Sequence, residues 1–600
     1  DPEEAMKDGA PRLFEHKFEN NINTRVDHHF GDIEKGFAEA DHIREERFTG
    51  NRVYQNPMEP HCAIAEWDRH GRVTIHTSTQ VVHYVHHQLS RILDLPLGDI
   101  RVIMTNCGGG FGAKAATNIL EVLSVFLSKE VGCAVKMKFS REEMYLYGRG
   151  RHKQYIDMKI GVKNDGTITA VKQKAVLEGG AYSSFGIVST YYAGSMLTTL
   201  YKFPNYKYDG YRVNTNLPPC GAMRGHGTPH PRFAFESLLS MIADDIGMDH
   251  IDIRLKNAMT PEFRTCNDLD IHSCELIACL NNVREKSGWD EKKGKLPKGR
   301  GIGIGCGGFV SGAGYPIYRS KFPHSNAIIK VQEDGSKVVL FIGDADIGQG
   351  SDTVLAQAAA EAMGITLDKI SVVSADSDIT PIGFGAYSSR VTLMGGNASK
   401  MAGEEIKKQV IAAAALILNE DEDKLDAREN MIFSTNGQTD KKSVSWAEAA
   451  EAHFSTKGPL IGKGHYSPPE GLGGTYKGAA VGTSPAFSFA ATVCEVEVDM
   501  ETGKVKVLDF WDAHDCGTAI NPMAVEGQVE GAIVMGMSEA LLEDEVFDQK
   551  GKMLNPDLHN YIIATAADMP AIHSTIVDSY EPEGPYGAKE VGEGATLPIL

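Results

Sequence analysis

The stretch Asn106-Cys-Gly-Gly-Gly-Phe-Gly-Ala-Lys114 constrains this chain more than any other. An apolar run over 100–104 precedes it and reads as a buried strand. Residues 118–130 follow, and their apolar side chains, Ile119 to Leu127, read as a helix buried on most of its surface. A strand, a glycine loop and a helix N-terminus form an anion cradle, because glycines let the backbone approach a ligand and free N–H groups point at it. Three readings stand. Gly108 to Ala113 fits GxGxxG/A, which permits a Rossmann dinucleotide site, but no clear βαβ unit with an acidic ribose partner is legible around it. A tight turn without a ligand is the second. A phosphate-bearing cofactor that is not a simple dinucleotide is the third. A Walker A loop is excluded, because Ala115 follows Lys114.

A chain of 600 residues has room for two or more large domains. Its net charge of −20 argues against non-specific nucleic-acid binding. It has no apolar run of about 18 residues, so no membrane span is expected. The ten cysteines form no CxxC pair, which argues against an iron–sulfur or structural zinc site on this chain and fits a reducing cytoplasm. Asp1 is not an initiator Met, the first residues are no signal peptide, and Leu600 lies in an apolar run; the polypeptide is expected to continue in both directions.

Taken in order, 1–45 hold short elements, and 52–67 and 73–77 read as strands. An amphipathic helix over 80–95 ends at Pro96. Strands follow over 134–140, 156–162 and 168–177, the last two joined through Asp165-Gly166. An extended aromatic segment, 201–214, leads to a compact loop, 217–229, and a helix over 233–246. Residues 288–300 are charged and poor in apolar side chains, and read as the linker between domains 1–290 and 291–600. The second half opens with a hairpin, 326–332 and 336–342, then a helix over 351–363 with Ser351 or Asp352 as N-cap, and a strand over 370–374. A Gly/Ser-rich loop, 383–397, leads to a helix over 404–418; a hairpin, 493–498 and 504–512, precedes a helix over 521–542. Gly527, Gly531 and Gly536 cost that helix about 1 kcal/mol each relative to Ala unless close packing requires them. Glycine-rich loops at 107–113, 221–227, 343–350 and 383–397 point to one extended anionic ligand held between two domains.

GGGFGAK, CGAMRGHG, GDADIGQG, YSSRVTLMGGNAS, GQVEGAIVMGMS and GAKEVGEG occur in that order. In this the chain resembles the molybdenum subunits of the xanthine oxidase family over nearly all of its length. CGAMRGHG, FVSG at 309–312 and YSSRVT are most similar to 4-hydroxybenzoyl-CoA reductase. The resemblance implies a mixed α/β (α+β) fold of two elongated molybdopterin-binding domains with the cofactor at their interface. It implies molybdopterin cytosine dinucleotide, with molybdenum carrying oxo and sulfido ligands. It implies [2Fe-2S] clusters and FAD on an iron–sulfur small subunit and an FAD-binding medium subunit, in a cytoplasmic dimer of heterotrimers.

The same resemblance assigns residues. Gln80 matches the glutamine beside the metal's apical oxo group, and Gly110, Phe111 and Gly112 the loop lining the metal and pterin. Arg224 matches the cofactor-site arginine, whose planar fork suits oxyanions. Gln349 matches a pterin contact, and Ser388 and Ser389 flank pterin and metal. Gln80, Phe111, Arg224 and Ser388 surround molybdenum without being ligands to it. Glu593 matches the catalytic base, since a carboxylate in a dry, glycine-walled pocket can have a raised pKa and accept a proton. Where purine-binding members carry Glu, Arg and Phe, this chain has Ala115, Tyr192 and His226. Where carbon monoxide dehydrogenases carry Cys it has Gly225. Tyr192 and His226 then read as proton donors to a small aromatic substrate, and the reaction as reductive dehydroxylation of an aromatic CoA thioester. Val591-Gly592 fits instead the hydroxylases that insert water-derived oxygen into an N-heterocycle or aldehyde. A Rossmann NAD-dependent enzyme and a non-catalytic scaffold are the readings of other classes.

Overall fold

The computed structural model describes residues 1–313, 322–436, 442–470 and 484–600. Cys62–Trp67 and Val73–Thr77 pair antiparallel; helix Val82–Leu93 then crosses over, and Ile100–Met104 returns parallel to Val73–Thr77. The glycine stretch follows, then helix Ile119–Val131, and Val135–Lys138 closes the sheet antiparallel to its first strand. The second half repeats this path. Ser325–Val331 and Val338–Ile342 pair antiparallel, helix Ser351–Met363 crosses over, Ile370–Ser374 returns parallel, and after helix Gly396–Leu418 strand Ile461–Tyr466 closes the sheet on Ser325–Val331.

The two units also repeat a tetrapeptide in the same loop: Gly110-Phe-Gly-Ala113 in one, Gly383-Phe-Gly-Ala386 in the other. They join edge to edge. Met104 N–H donates to the Ala375 carbonyl at 3.0 Å, Ser377 N–H to the Val102 carbonyl at 3.0 Å, and Arg101 pairs with Asp376 at 2.6 Å.

Two further sheets flank these units. Ile22–Phe30, Tyr206–Asn214, Ile168–Gly180, Gln154–Val162 and His42–Gly50 lie side by side in one. Arg300–Gly307, Phe489–Val498, Val505–Asp515 and Ala571–Ile576 form the other. One apolar core joins the two repeated units, from Val73 and Ile75 to Leu340 and Ile406. A second joins the flanking sheets, from Ile156 and Tyr208 to Phe489 and Val493. Among the described residues, no helix is long and apolar enough to cross a membrane.

Several local expectations change. Only Cys62–Trp67 of 52–67 is strand, because Asn56 is left-handed (φ +48°) and Pro57 and Pro60 interrupt the pairing. Helix Ile119–Val131 buries one face, with Leu120, Glu121, Ser124, Val125 and Ser128, while Ile119, Leu123, Phe126, Leu127 and Val131 are exposed. A single sheet can cover only one side of it. The 288–300 stretch holds a short helix, Trp289–Lys292, because Trp289 is buried and its indole N–H donates to Asp249 at 2.9 Å. Gly350, at φ +81°, replaces Ser351 or Asp352 as N-cap, and the Asp346 carboxylate takes the Asp352 N–H at 3.0 Å. The 383–397 loop ends early: Val391–Gly395 forms a π turn, and the helix begins at Gly396, where Gly403 packs on Ala359 and Ala362 of helix Ser351–Met363 and the backbone at Ala398 and Ala402 lies against Gly464 and Gly462 of strand Ile461–Tyr466.

Candidate active site

A cavity of about 740 Å³ lies between the two repeated units and helix Pro522–Leu541. Gln80, Gly110, Phe111, Gly112, Arg224, His226, Gln349, Ser388, Ser389 and Glu593 all line it. They come from six separate stretches of chain. Tyr192 is not among the lining residues.

Gln80 fastens the two tetrapeptides to each other. Its Oε1 accepts the N–H groups of Gly112 at 3.0 Å and Lys114 at 3.2 Å, and its Nε2 donates to the Ala386 carbonyl at 2.7 Å. A Cβ at Gly110 would stand 2.5 Å from Gln80 Oε1, and one at Gly112 would overlap the Ala222 carbonyl. The glycines therefore admit neighbouring protein at those points. Phe111, Ser388 and Ser389 have φ values of +52°, +47° and +48°. Such left-handed residues each cost about 1–3 kcal/mol and persist where surrounding structure holds them. All three line the cavity.

Gln349 keeps to its own loop. Its Oε1 accepts Ile347 N–H at 2.6 Å, and its Nε2 donates to Ala345 and Ser351, each at 3.0 Å. Helices Ser351–Met363 and Pro522–Leu541 both begin at the cavity wall, so their positive dipole ends face it. Gly527 and Gly531 sit on the wall side of the second helix: a Cβ at Gly527 would meet nothing within 4 Å, and one at Gly531 only Arg224. Gly536 instead packs against Ile599, where a Cβ would come within 2.7 Å. Two of the three helix glycines thus widen the cavity, and the third makes a protein contact.

Arg224 is buried. Its Nε donates to the Gly592 carbonyl and its Nη2 to the Gln528 carbonyl at 2.9 Å and Gln528 Oε1 at 3.2 Å. Burial lowers its pKa to about 10, which leaves it cationic at neutral pH. Glu593 Oε1 accepts the Gly225 N–H at 3.0 Å, and Oε2 accepts the Ser389 hydroxyl at 2.9 Å. Burial first, and the neighbouring Glu590 second, push the Glu593 carboxyl up to about 7; Ser389, Gly225 and Arg224 oppose them. A carboxyl poised there can take or hold a proton at neutral pH.

His226 is buried, and its Nε2 has no hydrogen-bond partner. Burial pushes its pKa down to about 4, so it is neutral at pH 7. Tyr192 stacks edge-on against His226 at 5.9 Å and Phe309 at 5.7 Å, at 0% exposure. Burial raises its phenol above the ordinary range, with Ser388 pulling the other way. Ala115 does line the cavity. Gln528 and Glu590 line it too, and sequence reasoning did not single them out; both stood inside motifs in which one neighbour drew the attention.

Two family models, each described as a molybdopterin cofactor-binding domain, match residues 14–258 and 282–570. The xanthine dehydrogenase molybdenum-binding subunit of Escherichia coli O157:H7 is 32% identical over 561 residues, which cover 91% of this chain and 72% of that one. The nicotine 6-hydroxylase large subunit of Paenarthrobacter nicotinovorans is 29% identical over 618 residues, covering 100% and 74%. The crystal structure of quinoline 2-oxidoreductase from Pseudomonas putida 86 superposes with a TM-score of 0.90 at 25% identity, covering 99% of this chain and 76% of that one.

Proposed function

This chain belongs to the xanthine oxidase family of molybdopterin-binding large subunits, and from that premise we propose that it is the subunit of a molybdenum hydroxylase that inserts a water-derived oxygen into an N-heterocycle or an aldehyde. The observation that carries the reading is Glu593. It is a carboxyl poised near neutrality, aimed by Ser389 and the Gly225 N–H, on the wall that also holds Arg224 and Gln80.

The cavity suits the cofactor. Its wall has the buried cation Arg224, two helix N-termini for phosphate oxygens, and a helix face where Gly527 and Gly531 leave room for a flat ring system. Gln80, Phe111, Arg224 and Ser388 would surround the metal, with Gly110, Gly112, Gln349 and Ser389 along the pterin. When bound, the cofactor supplies the two-electron acceptor and the oxygen that is transferred. The chain supplies the rest. Glu593 takes the proton at its carboxylate. Arg224 fixes polar oxygens, and the buried walls exclude water. Neutral His226 and the methyl of Ala115 face a neutral substrate, and give a purine neither carboxylate nor cation to pair with.

Reductive dehydroxylation of an aromatic CoA thioester is the second reading. It rests on CGAMRGHG and on the unpartnered Nε2 of His226, a free polar atom of a residue on the cavity wall. The relatives named above are a dehydrogenase, a hydroxylase and an oxidoreductase by name, and Tyr192 lies off the cavity, so the hydroxylase reading has the stronger support.

We further propose molybdopterin cytosine dinucleotide as the cofactor form, partner subunits carrying [2Fe-2S] clusters and FAD, a dimer of heterotrimers, and a cytoplasmic location. Relatives named as large subunits or molybdenum-binding subunits support the multi-subunit part. The division into domains 1–290 and 291–600 is also a proposal. Its support is that each sheet draws its strands from one side of that boundary, although both apolar cores draw from both sides.

The test uses the purified complex. Glu593→Gln is expected to keep molybdenum content and to lower turnover at least ~10²-fold. Turnover within a few-fold of wild type would remove Glu593 from the mechanism. A screen of N-heterocycles, aldehydes, xanthine and aromatic CoA thioesters is expected to find oxidation of the first two classes. Turnover of thioesters alone would move the assignment to the reductase reading.

A further inference from the structure

Behind Glu593 stands a second buried carboxylate that the proposed mechanism does not use. Glu590 Oε1 accepts the Ser488 hydroxyl and the Gly594 N–H, the latter at 3.1 Å; its Oε2 accepts the Glu593 N–H at 3.1 Å. Its own N–H donates to Ser311 Oγ at 3.0 Å. A Cβ on Gly594 would overlap Glu590 Oε1, so the carboxylate lies flat against the turn that carries the base. No cation pairs with Glu590 among the described residues. The adjacent Lys589 is committed to Asp515 at 2.9 Å and to Ser273 Oγ at 2.9 Å. The Glu590 carboxylate thus takes hydrogen bonds only from neutral donors, and Arg224 reaches it through charge without a bond.

Such an anion acts on Glu593 in two ways. Its hydrogen bonds to the N–H groups of 593 and 594 fix the backbone from which the base projects. Its charge disfavours a second charge nearby, so Glu593 holds its proton more tightly. Arg224, Ser389 and the Gly225 N–H face Glu593 and act in the opposite sense. Tyr192, His514 and Cys516 also stand beside this turn; burial raises the Cys516 thiol to about 12, so it is neutral. Tyr192 is neutral, and His514 Cε1 would be 3.3 Å from a Cβ at Gly594.

We propose that Glu590 is a positioning residue that aims Glu593 and keeps it a strong enough base to take a proton at neutral pH. The proposal rests on Glu593 being the base.

Glu590→Gln removes the charge and spares most of the hydrogen bonds. The amide oxygen can keep the Glu593 N–H, and its NH₂ can turn to Ser488, whose hydroxyl reverses its role. In the holoenzyme, the acid limb of the kcat/KM profile is expected to move to lower pH by about one unit, with a lower plateau from the weaker base. The carboxyl stretch of protonated Glu593, identified by its loss in Glu593→Gln, is expected to titrate lower by the same shift in infrared spectra of the cofactor-free chain. Ser488→Ala, which leaves the charge in place, is expected to leave the limb within a few tenths of a unit. An acid limb and infrared titration unmoved in Glu590→Gln, with Glu593→Gln inactive, would overturn the role of Glu590 alone. Full activity in Glu593→Gln would overturn the base itself.

Discussion

The two repeated units follow one path and carry one tetrapeptide, yet they expose its phenylalanine differently. Phe111 is left-handed and 39% exposed on the cavity wall; Phe384 is 2% exposed, stacked on Tyr84 at 5.6 Å and edge-on to His324 at 5.4 Å. In the second unit the left-handed positions fall further on, at Ser388 and Ser389, and these reach the cavity instead. The same contrast holds between the glutamines that precede the two crossover helices. Gln80 bonds to both tetrapeptide loops, whereas Gln349 bonds only within its own. A repeat of topology thus supplies two similar walls, and the contacts between them decide which side chains are framework and which face a ligand.

The largest effect should come from the phenylalanines. Phe384→Ala is expected to cost about 3–5 kcal/mol, the range for a buried aromatic, and Phe111→Ala less than about 1 kcal/mol while lowering cofactor retention. Chemical unfolding of both variants reads this directly; equal losses would mean that the two walls are not divided as described.

The glutamines come next. Gln80→Ala strands the buried N–H of Lys114, at about 1–3 kcal/mol, and frees the half-buried N–H of Gly112 at less cost, since water can reach it. Gln349→Ala should cost about 1 kcal/mol or less, because its side chain is half-buried and water can replace its bonds. A Gln349→Ala loss as large as that of Gln80→Ala would contradict the assignment of Gln80 as the fastener.

Acid should have the smallest effect and act on both units alike, because each buries histidine and a carboxyl with opposite shifts. Burial pushes His61, which bonds to the Ala113 carbonyl, and His83 down to about 3. Unfolded histidine takes its proton near 6.5, so this contribution is fully present above that pH and is lost as pH falls from about 6.5 toward 3, by up to ~1.4 kcal/mol per unit for each histidine. In the second unit burial and Arg390 push His324 down to about 3 in the same way. Each unit also raises one carboxyl: burial lifts Glu121 to about 7 in the first, and burial and Asp346 lift Asp352 to about 6 in the second. For these two the folded state binds more protons than the unfolded state as pH falls toward about 4, so acid partly offsets the histidine loss in each unit. Hydrogen exchange, corrected for intrinsic rate, is expected to show protection of Val73–Thr77 and Val338–Ile342 changing in parallel between pH 7 and 5. A loss confined to one unit would show that these groups do not balance.

Much of this was legible in the residues. The helix over 351–363 and the strand over 370–374 follow from apolar spacing between glycine breaks, and the structure has them with the same bounds. The six motifs indicated the family because their order and chemistry are properties of the linear chain. Other features needed the third dimension. The helix from Gly396 rather than 404 depends on Ala398 and Gly403 finding a neighbour that only small residues can approach. The exposed stripe of Ile119, Leu123, Phe126 and Leu127 depends on a sheet covering one face only.

The sequence by itself determined the family, through the resemblance its six ordered motifs carry, and with it the mixed α/β class; glycine placement marked the loops that meet at the cavity. Only the tertiary structure decided that Tyr192 lies off the cavity while His226 is on it, and that Gln80 reaches the Ala386 carbonyl, 306 residues away, and so joins the two loops. It alone buried Glu590, three residues away in sequence, against the turn that carries Glu593. The physical reason is that the burial of these groups, and the Ser389, Gly225 and Arg224 contacts that oppose it at Glu593, come from neighbours distant in sequence.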